Sequence, residues 1–419
     1  MKRKVDGRLP REIPPSMNSL KPHSALSSPW GKLVNYRDAA YYAQRYGAVF
    51  SAAVLQAYRI LVPDYEERAE MMTRDAYRRL GGEGGTYRIK QYYDAAVKDH
   101  NFHPFCLGNF VGGLQGDWGD ETQCMYGRVN DMGTYRVEKE LDYCAWDICG
   151  SEVCRATTQS LLACADVFAE GQEAGPTLEY HMVEARGCGD LHCRIVAESR
   201  EKYPMPEHKF WEVFGPIATA DQIKYTPEEE MLSDPEIYRE DCDYRYVSGT
   251  CEEHTQEMLY PNVGTTTAAT YIIPAIERHI ERGDFTSEFA NHVLRCVCEA
   301  AGKAVFGEFY AVKGARDWLG VPEGVNDGRV AGASIEMYLQ CAGMSYQIEE
   351  FNKDTVIYKI DRYPMAGLMP NMARVPVAYI AFWYGMTKSL VNAQWSLWEE
   401  GSDANTIRIK IAKKIDKFC

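Results

Sequence analysis

The sequence predicts an α+β fold in which one domain occurs twice. In each half of the chain helical patterns come first and short strands follow. The helical segment that begins at Tyr65 is echoed from Phe285, and residues 139–143 are echoed by residues 359–363, both at an offset of 220 residues. A constant offset over two separate blocks is typical of a tandem duplication. We therefore expect two similar domains related by a pseudo-twofold axis.

Four segments divide the chain. A length of 419 residues is more than one hydrophobic core usually serves. Pro, Ser and basic residues without periodicity predict an N-terminal arm. A Pro-, Glu- and Tyr-rich stretch predicts a long connector. The predicted segments are the arm 1–38, a first, site-bearing domain 39–203, the connector 204–262 and a second, degenerate domain 263–419.

In the first half, apolar and aromatic residues recur at helical spacing, and Asp64 is placed to cap a second helix that stops at Gly81 and Gly82. Alternating and β-branched stretches predict strands, and a seam of apolar residues predicts a helix from Cys154. The predicted elements, in order, are helices 36–61 and 65–82, strand 134–141, helix 154–169, and strands 178–186 and 191–196.

The second half repeats this order. Two helices, the second of which is predicted to stop at Gly302, precede an irregular Gly-rich middle. The remaining predicted elements are strand 355–360, helix 377–393 and strand 406–411.

Charge and composition restrict the function. The formal net charge of −14 argues against binding to nucleic acid or to an anionic membrane. The sequence has no signal-peptide pattern and no run of 18 apolar residues, so we expect a cytoplasmic protein. In that compartment most of its 14 cysteines should be free thiols. No dinucleotide-binding or P-loop pattern occurs.

The candidate site lies in the first half, which keeps Cys, Asp and His residues that the second half has lost. A thiol at a helix start is favoured as thiolate by the helix dipole, and a nucleophilic cysteine needs a nearby base. The predicted catalytic residues are Cys154, Cys193, His192 and Asp147, and the predicted substrate-binding residues are Asp190, Asp142, Trp118 and Asp117.

Two other interpretations of these residues stay open. Buried cysteines often only fill a core, and a histidine can be purely structural. The spacing of Cys188, Asp190, His192 and Cys193, or of His100, His103 and Cys106, could instead serve a metal. We predict no cofactor, with zinc as the alternative.

One stretch of the first half resembles a known family. The residues that carry the resemblance are Cys154-Arg155, Cys164-Ala165-Asp166, Leu178-Glu179-Tyr180 and the run from Arg186 to Ile195. This pattern resembles the L-2-amino-thiazoline-4-carboxylate hydrolase-like family, which is similar to the 4-vinyl-reductase small-ligand-binding domains. The resemblance implies a compact ligand-enclosing domain and hydrolysis of a small cyclic C–N or related bond, with Cys154 and Cys193 as the matching positions.

Two functions follow as hypotheses. The first is a cytosolic hydrolase or lyase that acts on a small metabolite, with ring compounds among the candidate substrates, through a cysteine thiolate or a metal-bound water. The second is a non-catalytic sensor or carrier that uses the same pocket. We also predict a homodimer, because the arm carries Trp30 and the second half is rich in aromatic residues such as Phe382, Trp383 and Trp395.

Overall fold

Helices and small antiparallel sheets make up the described residues, which confirms the α+β class. The computed structural model describes residues 27–32, 36–82, 125–132, 136–144, 146–156, 178–199, 268–305, 312–341, 344–362 and 374–414. These residues fall into two compact units. The first unit contains the described residues from 62 to 199, and the second contains those from 27 to 61 and from 268 to 414.

The first unit begins with a capped helix. Asp64 Oδ1 accepts a hydrogen bond of 2.8 Å from the backbone amide of Glu67, as the sequence predicts for an N-cap. The helix α2 (Tyr65–Gly82) then ends at the predicted glycine pair. The preceding helix, α1 (Tyr36–Leu61), belongs to the second unit.

Four antiparallel strands form the sheet of the first unit. They are β1 (Met125–Met132), β2 (Arg136–Cys144), β3 (Leu178–Glu184) and β4 (Cys193–Ser199). Their order across the sheet is β1-β2-β4-β3. Cys193 is the first residue of β4 and pairs with Leu141 of β2. The strand predicted at 191–196 therefore starts two residues later, and Leu191 and His192 lie in the bend before it.

The second unit consists of several helices and one four-stranded sheet. After a π-helical turn at Ala268–Ile272 come α3 (Ile273–Arg282), α4 (Ser287–Ala304), α5 (Val312–Leu319), α6 (Arg329–Cys341) and α7 (Arg374–Leu390). The strands are β5 (Tyr346–Phe351), β6 (Thr355–Asp361), β7 (Trp395–Glu399) and β8 (Thr406–Lys413), in the order β5-β6-β8-β7. The two sheets thus share one strand order.

An aromatic cluster fills the core of the second unit. Tyr46 of α1 stacks on Tyr338 of α6 with ring centres 4.2 Å apart, and Phe50 stacks on Tyr379 of α7 at 3.6 Å. Trp383 is fully buried, and its indole nitrogen donates a hydrogen bond of 3.0 Å to Tyr46. The aromatic residues that suggested an interface are therefore partly explained inside the unit, since Phe382, Trp383 and Trp395 are all buried there.

A buried polar network ties residues 27–32 to this unit. The side chain of Gln340 both accepts from and donates to the backbone of Ser27, each at 2.8 Å. Gln340 also donates to Glu336, whose carboxylate accepts hydrogen bonds from Tyr346 and Tyr358. Burial raises the pKa of the Glu336 carboxyl, although these hydrogen bonds act against it. This part of the predicted arm is therefore held by specific hydrogen bonds.

The prediction that a helix stops at Gly302 is wrong. Helix α4 continues to Ala304, and Gly302 lies buried within it. A Cβ atom on Gly302 would overlap the carbonyl oxygen of Phe382 in α7, and one on Gly385 of α7 would overlap the carbonyl oxygen of Glu299 in α4. These glycines allow the two helix backbones to touch, so their role is packing and not termination.

Several sequence predictions concern residues outside the described ranges. The connector 204–262, Asp117, Trp118, His100, His103 and Cys106 lie outside them. In the described part of the chain no helix combines the length and the apolar character needed to cross a membrane.

Candidate functional site

The segment 146–156 positions Cys154. Residues Asp147–Cys149 form a 3-10 turn, and Gly150 then adopts φ +91°, a conformation open to glycine alone. A helix begins at Ser151 and covers the described residues 151–156, so it starts three residues before the predicted first residue, Cys154. Cys154 consequently lies in the first helical turn, half-buried, with its amide bonded to the Gly150 carbonyl at 3.4 Å.

The turn 185–190 closes over this thiol. Residues Arg186–Cys188 form a second 3-10 turn, and Gly189 follows with φ +100°. A Cβ atom on Gly187 would lie 2.6 Å from Cys154 Sγ, so the thiol occupies the space that any larger residue there would need. The next residue along the turn is Cys188, a second half-buried thiol. Two cysteines from separate segments are thereby brought to one place.

Tyr65, the first residue of α2, contacts the helix that carries Cys154. Its hydroxyl lies 3.0 Å from Ser151 Oγ, and the guanidinium carbon of Arg155 lies 4.8 Å from the centre of its ring. Burial raises the pKa of the Tyr65 hydroxyl, while Ser151 and the charge of Arg155 lower it, and the nearby Cys188 raises it. A tyrosine in this state is protonated at neutral pH and can donate a proton. We call Tyr65, Ser151, Cys154, Arg155 and Cys188 the Cys154 cluster.

Two buried arginines, Arg155 within the Cys154 cluster and Arg68 outside it, form ion pairs with glutamates. Arg155 has no exposed surface, and its two terminal nitrogens each lie 3.5 Å from Glu66. Arg68 donates to the Val62 carbonyl at 2.7 Å and forms a buried ion pair of 3.1 Å with Glu152. Because Glu152 belongs to the helix that carries Cys154, this ion pair holds that helix against α2.

Cys193 has the properties of a packing residue. Its side chain is 5% exposed, and its sulfur accepts a hydrogen bond of 3.3 Å from the backbone amide of Arg186. Burial raises the pKa of the Cys193 thiol to about 11, with the amide and the charge of Arg186 acting in the opposite direction. At neutral pH such a thiol stays protonated and is a poor nucleophile.

Asp147 and Asp190 make structural contacts. Asp147 forms an ion pair of 3.1 Å with Arg186, whose guanidinium also donates to the Leu191 carbonyl at 2.7 Å. Asp190 Oδ2 accepts a hydrogen bond of 2.8 Å from the Ala185 amide and so closes the turn 185–190. Asp190 and His192 both precede β4, so no strand alternation places them on one face of the sheet. Asp142 lies in β2, where the backbone alone is described.

The described residues of the first unit do not assemble a metal site. No three of their His, Cys, Asp and Glu side chains bring ligand atoms within 4.8 Å of one another. This holds for the set Cys188, Asp190, His192 and Cys193, whose spacing suggested a metal.

Sequence reasoning missed four residues that shape this site. Tyr65, Ser151 and Arg68 carried no recognised signal for the site, and Arg186 stood out only as the first residue of the family-like run 186–195. Arg155 could have been recognised as a site residue, because it directly follows Cys154 in the stretch that resembles the family. Comparison of the chain with protein-family models, with curated proteins and with solved structures gave no match.

Proposed function

We propose that the first unit is a thiol-dependent hydrolase or lyase for a small, cyclic metabolite, with Cys154 as its nucleophile. The observation that carries the proposal is that the half-buried Cys154 thiol, in the first turn of its helix, lies against Gly187 of the turn that also carries Cys188, while the Tyr65 hydroxyl lies 3.0 Å from Ser151 of the same helix. A nucleophilic cysteine needs such partial access and a positive environment, and the start of its helix offers Cys154 the positive end of the helix dipole. Cys193, by contrast, is assigned a packing role.

The proposed reaction uses groups within the Cys154 cluster. Cys154 Sγ attacks the electrophilic carbon of a C–N bond, the bond breaks, and the nitrogen leaves with a proton from Tyr65. The proton lost by the Cys154 thiol replaces the one that Tyr65 donated. Water then cleaves the carbon–sulfur bond and regenerates the thiol.

We further propose that residues 263–419 are a degenerate copy of residues 39–203 that arose by tandem duplication, with a pseudo-twofold relation between the copies. The shared strand order of the two sheets supports this. Arg374 stands where the 220-residue offset places the counterpart of Cys154. Arg374 is mostly buried and binds Glu277 at 2.7 Å, Asn291 at 2.7 Å and Ser287 at 2.9 Å, so that position now joins α7 to α3 and α4.

The cellular setting completes the proposal. We propose a cytoplasmic homodimer, and the net charge of −14 argues against binding to nucleic acid or to an anionic membrane. The alternative function, a non-catalytic sensor or carrier, is favoured by one observation. The resemblance matches two thiols, those of Cys154 and Cys193. Burial raises the pKa of the Cys193 thiol to about 11, so only Cys154 is suited to catalysis.

An activity screen tests the proposal. The full-length protein is incubated with a panel of small cyclic C–N compounds that begins with 2-amino-thiazoline-4-carboxylate, and ring opening is followed by mass spectrometry. We expect turnover by the native protein and a loss of roughly a thousandfold or more in Cys154→Ser. Cys296→Ser, which removes an exposed thiol of the second unit, is the matched control and should retain full activity.

The other outcomes of the screen separate the two functions. Full activity in Cys154→Ser would remove the thiol mechanism. Saturable binding of a panel compound without turnover would establish the sensor or carrier in place of the enzyme.

A further inference from the structure

Helix α4 carries a cysteine and a histidine side by side on its exposed face. Thr286 caps the helix because its hydroxyl accepts a hydrogen bond of 3.2 Å from the Phe289 amide. The buried residues of α4, which are Ala290, Val293, Leu294, Cys298 and Gly302, face the core of the second unit. His292 and Cys296 are exposed and one turn apart, which places their side chains next to each other on the helix surface.

The separation of these side chains matches the requirement of a tetrahedral metal ion. A zinc ion with a Zn–S bond of about 2.3 Å and a Zn–N bond of about 2.05 Å holds sulfur and nitrogen about 3.6 Å apart. Cys296 Sγ and His292 Nε2 are 3.8 Å apart, so a small rotation of either side chain gives that geometry. Both atoms already face each other as ligands of one ion would.

From this geometry we infer that His292 and Cys296 form a two-ligand surface site for a thiophilic divalent cation, with Zn²⁺ or Co²⁺ as the fitting class. One sulfur and one imidazole nitrogen favour these ions over Mg²⁺ and Ca²⁺, which prefer oxygen ligands. Among the described residues no third Cys, His, Asp or Glu comes close enough to join them. Water or an added small ligand therefore takes the remaining positions, and binding releases the thiol proton to solvent.

The same helix supplies an internal control. Cys298 lies two residues after Cys296 but is fully buried on the face of α4 that packs into the core. That thiol does not reach solvent, so it cannot serve as a ligand of an ion on the exposed face. Loss of metal binding in a Cys296 variant and its retention in a Cys298 variant would locate the site on the exposed face.

Cobalt titration tests this inference on the full-length, reduced and chelator-treated protein. Co²⁺ is added to the native protein and to Cys296→Ser, His292→Ala and Cys298→Ala, and thiolate-to-cobalt charge-transfer absorption is recorded. We expect the native protein to bind one equivalent of Co²⁺ through this site. The affinity for that equivalent should fall roughly tenfold or more in both Cys296→Ser and His292→Ala, and should be unchanged in Cys298→Ala. Added Zn²⁺ should displace that equivalent of cobalt.

Several results would overturn the site. Titration curves of Cys296→Ser that superimpose on the native curve would show that the ligands lie elsewhere. A weaker affinity for Co²⁺ in Cys296→Ser, with an unchanged affinity in His292→Ala, would show that the thiol binds the ion without the histidine. If Cys298→Ala fails to fold, Glu299→Gln, a change at an exposed side chain of α4, takes its place as the control.

Discussion

Replacing Arg68 by methionine should lower the free energy of unfolding of the first unit by about 3–5 kcal/mol. Arg68 is 2% exposed and Glu152 is fully buried, so the substitution leaves a carboxylate in the interior without its guanidinium. The carbonyl of Val62 also loses its donor at 2.7 Å. Urea unfolding of Arg68→Met, followed by a probe of the first unit, measures the loss.

Arg74 on the same helix is the matched control. Its ion pair with Glu70 is exposed, with relative side-chain exposures of 75% and 49%, and Arg74→Met should change the stability by less than about 1 kcal/mol. The double variant Arg68→Met with Glu152→Leu should regain much of the lost stability, because it removes the uncompensated charge. Equal losses for Arg68→Met and Arg74→Met would contradict the buried ion pair.

Alanine at Gly302 or at Gly385 should destabilise the second unit by about 3 kcal/mol. In an ordinary helix interior, Gly→Ala stabilises by roughly 1 kcal/mol through backbone entropy and helix propensity. Here the added methyl group overlaps a backbone carbonyl of the facing helix, so α4 and α7 must move apart. The sign of the change in stability therefore shows whether the two helix backbones are in contact.

Gly332 of α6 provides a graded comparison. A Cβ atom there would lie 2.8 Å from Val356 Cγ1, which is a side-chain atom that can move. Gly332→Ala should cost less than Gly302→Ala in the same thermal unfolding experiment. Stabilisation by both Gly302→Ala and Gly385→Ala would show that the helices do not pack as described.

The sequence predicted the regular elements whose pattern is local. Strands β2, β3, β6 and β8 overlap the predicted segments because each is a continuous run of strand-forming residues. The Asp64 cap was recognised because capping depends on neighbours three residues apart.

The sequence analysis missed helices and strands that are stabilised by contacts with distant parts of the chain. Helix α6 falls in the segment taken as an irregular, Gly-rich middle, but its Gly332 is needed where Val356 and Tyr358 approach the helix. Strand β7 has five residues and needs its pairing with β8 to be defined. Such tertiary causes leave no periodic pattern in the sequence.

The candidate site was predicted in part for the same reason. The positions of Cys154 and of the turn at Cys188 followed from motif spacing, but their meeting depends on how two segments fold together. Tyr65 comes from a third segment about ninety residues before Cys154 in the chain. The role of Cys193 depends on its burial, which spacing does not show.

Alkylation of the native, reduced protein is the most direct test of the claim that Cys154 is the nucleophilic thiol. Iodoacetamide is added in limiting amounts at a series of pH values, and the labelled cysteines are identified by peptide mass spectrometry. The exposed Cys296 serves as the reference for an unhindered thiol. We predict that Cys154 is labelled at neutral pH, whereas Cys193 stays unlabelled until the pH approaches about 11 or the protein unfolds. Labelling of Cys193 at neutral pH, with Cys154 inert until unfolding, would contradict the proposed function.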